Sequence, residues 1–276
     1  MRHPLRLVLA MSLALAGPGQ AAPQRVVSIN LCTDQLAMML AAPGQLLSVS
    51  YLAQDPRSSA MAEEALAWPA NHGLAEEIFL LDPDLVVAGS FTARATVSML
   101  RRLGIPVVTM TPARSLDEVR DRIAEMGGLL GREEAAAMLV TEFDAGLAAL
   151  SETVADPPRA AIYAARGYAS GPASLSGAIL EAAGFANVAE EVGLSVGGVL
   201  PLEQLVMLDP DLVVLPQPWP GASRAEEVLS HPALLALQER AGTAPLTDRD
   251  WVCGTPHVLR AIAGLAEARK ELPESP

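Results

Sequence analysis

The sequence predicts an α/β fold of two lobes, each a mostly parallel sheet with flanking helices, joined by one long helix. Three observations carry that expectation. The heptapeptide LDPDLVV occurs at 81–87 and again at 208–214, 127 positions later (208 − 81). Each copy joins a short amphipathic stretch to a fully apolar run, the pattern of a helix that leads into a strand covered on both faces. Between the copies, the proline-free segment from Pro112 to Pro157 carries a long helical pattern.

The chain has 276 residues, 51% of them hydrophobic, enough to bury two modest cores. Aromatic residues are only 4%, so Leu, Val and Ala must fill those cores. A formal charge of −13 argues against nucleic acid or anionic lipid as a partner.

The elements follow in order. Arg2 and Arg6 precede LVLAMSLALAG, and Gly19-Gln20-Ala21 offers small residues for cleavage. Residues 1–21 therefore read as a secretory signal peptide, with an apolar run too short to span a bilayer comfortably. Its removal leaves a charge of (19 − 2) − 32 = −15 on an exported chain. A first lobe, 22–114, contains strands at Val26–Asn30, Leu46–Ser50, Leu85–Val87 and Ile105–Thr109. Its helices are expected at Asp34–Leu40 and Ala93–Leu103, with Gly104 as a stop. The repeated Asp-Pro ends each short helix because proline cannot continue it. Connecting helices occupy 115–156. Ser115-Leu-Asp-Glu118 is a capping-box signal, and Gly127, Gly128 and Gly131 are expected to break the helix it opens. A second helix runs from Glu133 to Val154, with Leu139, Phe143, Leu147, Leu150 and Val154 as one apolar stripe. The second lobe, 157–276, has a strand at Ala160–Ala164, a helix at Ser176–Ala183, the repeat strand and a closing helix at Val258–Lys270.

Together the leader, RVVSINLCTDQL, NHGLAEEI, the two LDPDLVV units and the connecting helix resemble periplasmic solute-binding proteins of the iron-complex and cobalamin type. The resemblance runs from Arg25 to about Ala268. It implies a monomer that binds a metal chelate in an interlobe cleft and delivers it to the permease dimer of an ABC importer. It implies no catalysis and no resident cofactor.

In open α/β sheets, ligands sit beyond the carboxyl ends of the strands. The residues following the expected strands give the candidate ligand contacts Asn30, Cys32, Tyr51, Ser90, Phe91, Arg94, Arg166, Tyr168, Trp219 and His257. The aromatics suit a large planar chelate. Arg94, Arg114 and Arg166 suit carboxylates of a siderophore or haem, and Tyr51, Tyr168 or His257 would serve as an axial ligand to haem. The balance favours cobalamin or a ferric siderophore over haem. Cys32 and Cys253 fall in loops expected to face the cleft from opposite lobes. An exported chain permits a disulfide between them; a soft ligand pair for the bound metal and two free thiols are the alternatives. Resemblance also implies that Glu76 and Glu203, aligned six residues before Asp82 and Asp209, dock to arginines of the permease, while as helix starters they would simply favour the helix dipole.

Two other classes share parts of this pattern. A chelatase-like tetrapyrrole enzyme shares the fold type, but no G-x-S-x-G, P-loop, G-x-G-x-x-G or H-E-x-x-H occurs. A receptor for bare Zn or Mn ions would need converging His and carboxylates. His72, His231 and His257 are the histidines outside the leader, and the pattern favours hydrogen-bonding roles for His72 and His257 in loops.

Overall fold

A computed structural model describes residues 21–217, 221 and 223–272; residues 1–20 of the expected 1–21 leader, and Trp219, lie outside them. The first sheet is built from β1 (Val26–Ser28), β2 (Leu46–Ser50), β3 (Ala70–Asn71), β4 (Leu85–Gly89) and β5 (Val107–Met110). Its order is β3-β2-β1-β4-β5 and every pairing is parallel. Helices α1 (Leu31–Leu40), α2 (Ala75–Leu80) and α3 (Arg94–Arg102) make the crossovers. With all strands parallel, their carboxyl ends share one edge, and the loops after β1, β2, β3, β4 and β5 gather there.

Two helices connect the lobes, α4 (Leu116–Leu130) and α5 (Glu133–Leu150). Ser115 caps α4 by accepting from the Glu118 amide, while the Glu118 carboxylate accepts from the Arg114 amide at 2.7 Å. Gly127 and Gly128 do not break α4, contrary to expectation. A Cβ at Gly127 would run into Ala136 of α5, so its bareness lets the two helices pack closely. Gly131, at φ 64°, is the residue that ends the helix. Helix α5 stops at Leu150 rather than Val154, and Phe143 is its buried anchor.

The second sheet contains β6 (Arg159–Ala164), β7 (Tyr168–Ser170), β8 (Ala186–Asn187), β9 (Gly197–Val199), β10 (Leu212–Pro216) and β11 (Gly242–Leu246). Along it, β11-β10-β6 pair in parallel, β7 and β9 continue antiparallel, and β8 adds to β6. Its helices are α6 (Leu175–Ala182), α7 (Val188–Glu191), α8 (Leu202–Leu208), α9 (Pro232–Gln238), α10 (Asp248–Trp251) and the closing α11 (Val258–Lys270). One apolar core runs from Val26 and Val87 through Ile123, Met126 and Phe143 to Ile179 and Ile262, so the connecting helices are packed into both lobes.

The repeated heptapeptide has the same mechanics in each lobe. Asp82 and Asp209, each before a proline, take φ values of 47° and 45°. They leave right-handed helical angles, as proline demands, but enter the left-handed region, which aspartate tolerates better than most residues. The second aspartate then ties the repeat strand to the lobe's first strand. Asp84 accepts from the amides of Gln24 (2.7 Å) and Arg25 (3.0 Å), and Asp211 from that of Arg159 (2.7 Å). Arg25 donates back to the carbonyls of Leu81 and Asp82, and Arg159 to that of Asp209. The duplicated acids are thus strand clasps.

Candidate functional site

The site is built on α1, whose start moves from the expected Asp34 to Leu31 because Asn30 caps it. The Asn30 side chain accepts from the Cys32 amide at 3.1 Å. It lies across the end of β4, where a Cβ on Gly89 would sit 2.6 Å from its Cγ, so only glycine fits. Behind it, Ser90 reaches the Met110 carbonyl through both its amide (3.1 Å) and its hydroxyl (3.2 Å), fixing the β4 and β5 rims together.

A cavity of about 300 Å³ opens at these strand ends. From the first lobe it is lined by Asn30, Cys32, Ser90 and Phe91, and from the second by Val252 and Gly254. Phe91 is 88% exposed, a large apolar ring held out at the mouth. Gly254 packs so closely on Ala113 that a side chain there would collide. The two lobes are also joined covalently at this point. Cys32 and Cys253 form a disulfide with Cα atoms 5.0 Å apart, closing a separation of 221 residues. Beside it the Thr255 hydroxyl donates to the buried Gln35 side chain at 3.3 Å.

Arg122, absent from the expected contacts, lines the same cavity from α4. Its NH1 donates to Thr111 Oγ1 at 2.8 Å and pairs with Glu125 at 2.7 Å, while its buried Nε has no acceptor. A residue on a connecting helix follows no strand; the signal available was an arginine about two turns from the capped start of α4.

The other expected contacts surround the cavity rather than line it. Tyr51 stacks on His72 with ring centroids 5.4 Å apart and planes at 19°. These residues directly follow β2 and β3, so the pair stands on the same rim. Glu77 holds the His72 amide at 2.8 Å and its Nδ1 at 3.4 Å. Arg94 lines a neighbouring groove on α3. Arg166 and Gly167 are the centre of the β6–β7 turn, with φ values of 59° and 70°. Such a turn favours Asn-Gly, so an exposed arginine there is held at a cost of about 1–3 kcal/mol. Tyr168 follows it, half exposed. Burial, aided by Arg260, lowers the His257 pKa, and its Nε2 is buried without a partner. Among the described residues, no three of His, Cys, Asp or Glu converge on a metal-sized site, and no helix is long and apolar enough to cross a membrane.

Against known proteins, the chain is 34% identical over 201 residues to a cobalamin-binding protein of Halobacterium salinarum, an alignment covering 70% of this chain and 53% of that one. It is 31% identical over 123 residues to a vitamin B12-binding protein of Yersinia pseudotuberculosis, covering 43% of this chain and 42% of that one. The chain spans about half the length of the curated relatives it matches. In structure it is similar to the periplasmic haem-binding protein RhuT from Roseiflexus in apo form, with a TM-score of 0.71 and 21% identity over 89% of this chain and 99% of that one. The haem-binding protein BhuT, in complex with two haems, gives 0.67 at 19% identity over 90% and 98%. At these identities the structural likeness shows the fold alone. A family model described as periplasmic binding protein matches residues 26–242, and with two parallel-dominated sheets facing a shared cleft, the chain belongs to that family.

Proposed function

We propose that the protein captures a metal chelate in its interlobe cleft and delivers it to an ABC importer, with cobalamin as the leading ligand, then a ferric siderophore, then haem. The observation that carries this is the cavity at the strand ends, walled by both lobes and lined mainly by apolar surface. A volume of about 300 Å³ holds the edge of a large chelate rather than all of it. The exposed rings of Phe91, Tyr51 and Tyr168 extend the surface on which the remainder would lie. Arg122 adds a guanidinium to the cavity wall, suited to an acceptor on the ligand. Sequence relatives whose names specify cobalamin and vitamin B12 support the ranking. In this reading the ligand contacts are Asn30, Cys32, Tyr51, Ser90, Phe91, Arg94, Arg166, Tyr168, Trp219 and His257, joined by Arg122, and the chain works as a periplasmic monomer after losing residues 1–21. The lobe boundaries follow the same reading, 22–114 and 157–276 flanking connecting helices at 115–156.

Thermal shift with cyanocobalamin, a ferric hydroxamate and haemin tests it. A ligand that binds only the folded chain adds about 2.7 kcal/mol at one hundred times its dissociation constant. An upward shift with one of the three, at one ligand per chain and without turnover, is expected. No shift with any of them removes the chelate reading, and conversion of a tetrapyrrole would establish a chelatase-like enzyme instead.

A further inference from the structure

Beside the cleft lies a second feature that the strand-end reasoning touched only through Arg94. Helix α3 carries Arg94, Ser98, Arg101 and Arg102, residues spaced by four, seven and eight positions (98 − 94, 101 − 94, 102 − 94) and therefore on one helical face. They line an open groove of about 490 Å³ against Thr109 of the edge strand β5. No acidic residue lines it. Among the described residues, the ion pairs formed by other arginines of this chain do not include Arg94, Arg101 or Arg102. Among the described residues, Arg101 donates only to the Val107 carbonyl (3.1 Å) and Arg102 only to the Met99 sulfur (3.7 Å).

Three uncompensated guanidiniums in one groove are unexpected on a chain with 32 acidic and 19 basic residues. Solvent screens the repulsion among these exposed guanidiniums, so the cluster is tolerated when empty and is favoured further by an anion among them. The groove also adjoins the ligand cavity, since Gly89 and Ser90 line both. A ligand seated against Phe91 thus needs only to cross the Gly89–Ser90 ridge to bring an attached group over α3.

We propose that the α3 groove binds an anionic arm of the chelate, a phosphodiester or a pair of carboxylates, while the ring system occupies the cleft. This rests on the chelate reading and deepens it, because it requires the ligand to carry negative oxygens on a substituent. Arginine supplies paired N–H donors matched to such groups, and the hydroxyls of Ser98 and Thr109 add neutral donors. The groove would also give local attraction to an anion that the chain's overall charge repels.

Two matched pairs of probes test the proposal. Cyanocobalamin carries a phosphodiester that dicyanocobinamide lacks; haemin carries two carboxylates that haemin dimethyl ester masks. Affinities are measured for the wild type and for Arg101→Gln and Arg102→Gln, singly and together. The charged member of one pair should lose about tenfold or more in the variants, and its neutral counterpart less than about twofold. The loss should shrink as salt is raised. Retained binding of the neutral probe shows that each variant is folded, and the pair that responds identifies phosphate or carboxylate. Equal losses within both pairs, or none, overturn the anionic-arm assignment alone. A wild type that binds only the ferric hydroxamate overturns the anionic-arm assignment alone, and one that binds neither it nor any of the four probes overturns the chelate reading, and this one with it.

Discussion

Asp34 is fully buried, in the first turn of α1 and within a shell of hydroxyls. Its Oδ2 accepts from the Ser50 hydroxyl, and its Oδ1 has no partner. Burial is the larger influence, and it outweighs the Ser28 and Ser50 hydroxyls to push the carboxyl from its ordinary 3.8 up to about 6. The folded chain therefore holds this proton more tightly than the unfolded chain. Stability is fully present below pH 4, declines as pH rises through about 6, and above that carries a penalty of roughly 3 kcal/mol. Asp34→Asn, with an amide oxygen that can still accept from Ser50, should flatten the stability profile between pH 4 and 6.5 and raise the unfolding midpoint at pH 7. Denaturant titrations across that range check it; an unchanged slope would show that water or a counter-charge reaches the carboxylate. Position 34 was legible as helix but not as interior. An acid in a first turn fits an exposed helix start equally well, and only the packing of β1 and β2 against α1 decides between them. Arg122 was missed for the converse reason, because its cavity is made by chain far away in sequence.

The helices and strands themselves were largely legible, since apolar runs and Gly or Pro stops are local signals. Their errors lie where a neighbour overrides local preference. The start of α1 depends on the Asn30 cap, whose position over Gly89 belongs to another strand. Gly127 remains helical because α5 needs the space it leaves. The two cysteines were legible as a pair in facing loops, with the disulfide one of three alternatives, and the structure forms it between the start of α1 and the loop before α11. In the chain-entropy account, closing so long a loop contributes about 5 kcal/mol. Thiol titration of the denatured, unreduced protein should find no free thiol, and Cys32→Ser with Cys253→Ser should lower the unfolding midpoint. The same tie limits how far the cleft can open. Solution scattering should therefore show little contraction on ligand binding in the oxidised protein and more in the double variant. Two free thiols would remove the covalent tie, and a large contraction in the oxidised protein would remove its restraint.

At the scale of the molecule, the duplicated unit places two equivalent surfaces on two lobes. Helices α2 and α8 each lead into a repeat strand, so their first turns stand at the carboxyl edges of the sheets, the side on which the cleft opens. Glu76 and Glu203 occupy those turns, and both are exposed. One turn further on, each helix exposes an apolar side chain at equivalent positions, Leu80 (82%) and Met207 (85%), 127 residues apart like the repeats themselves (207 − 80). Clasping explains the aspartates and core packing explains Leu-Val-Val, but neither requires this outward-facing pair. A two-fold symmetric permease would meet two like acids, and charge pairing would guide the encounter and fix its register. Exposed carboxylates contribute little to folding, so the double charge reversal Glu76→Arg, Glu203→Arg should leave the unfolding midpoint and chelate affinity nearly unchanged. Transport in reconstituted vesicles, or in cells carrying the cognate importer, should fall by about tenfold or more, with each single reversal intermediate because each lobe keeps one contact. Normal transport by the double variant would limit the glutamates to starting their helices, and so would a variant whose main defect is a lower unfolding midpoint.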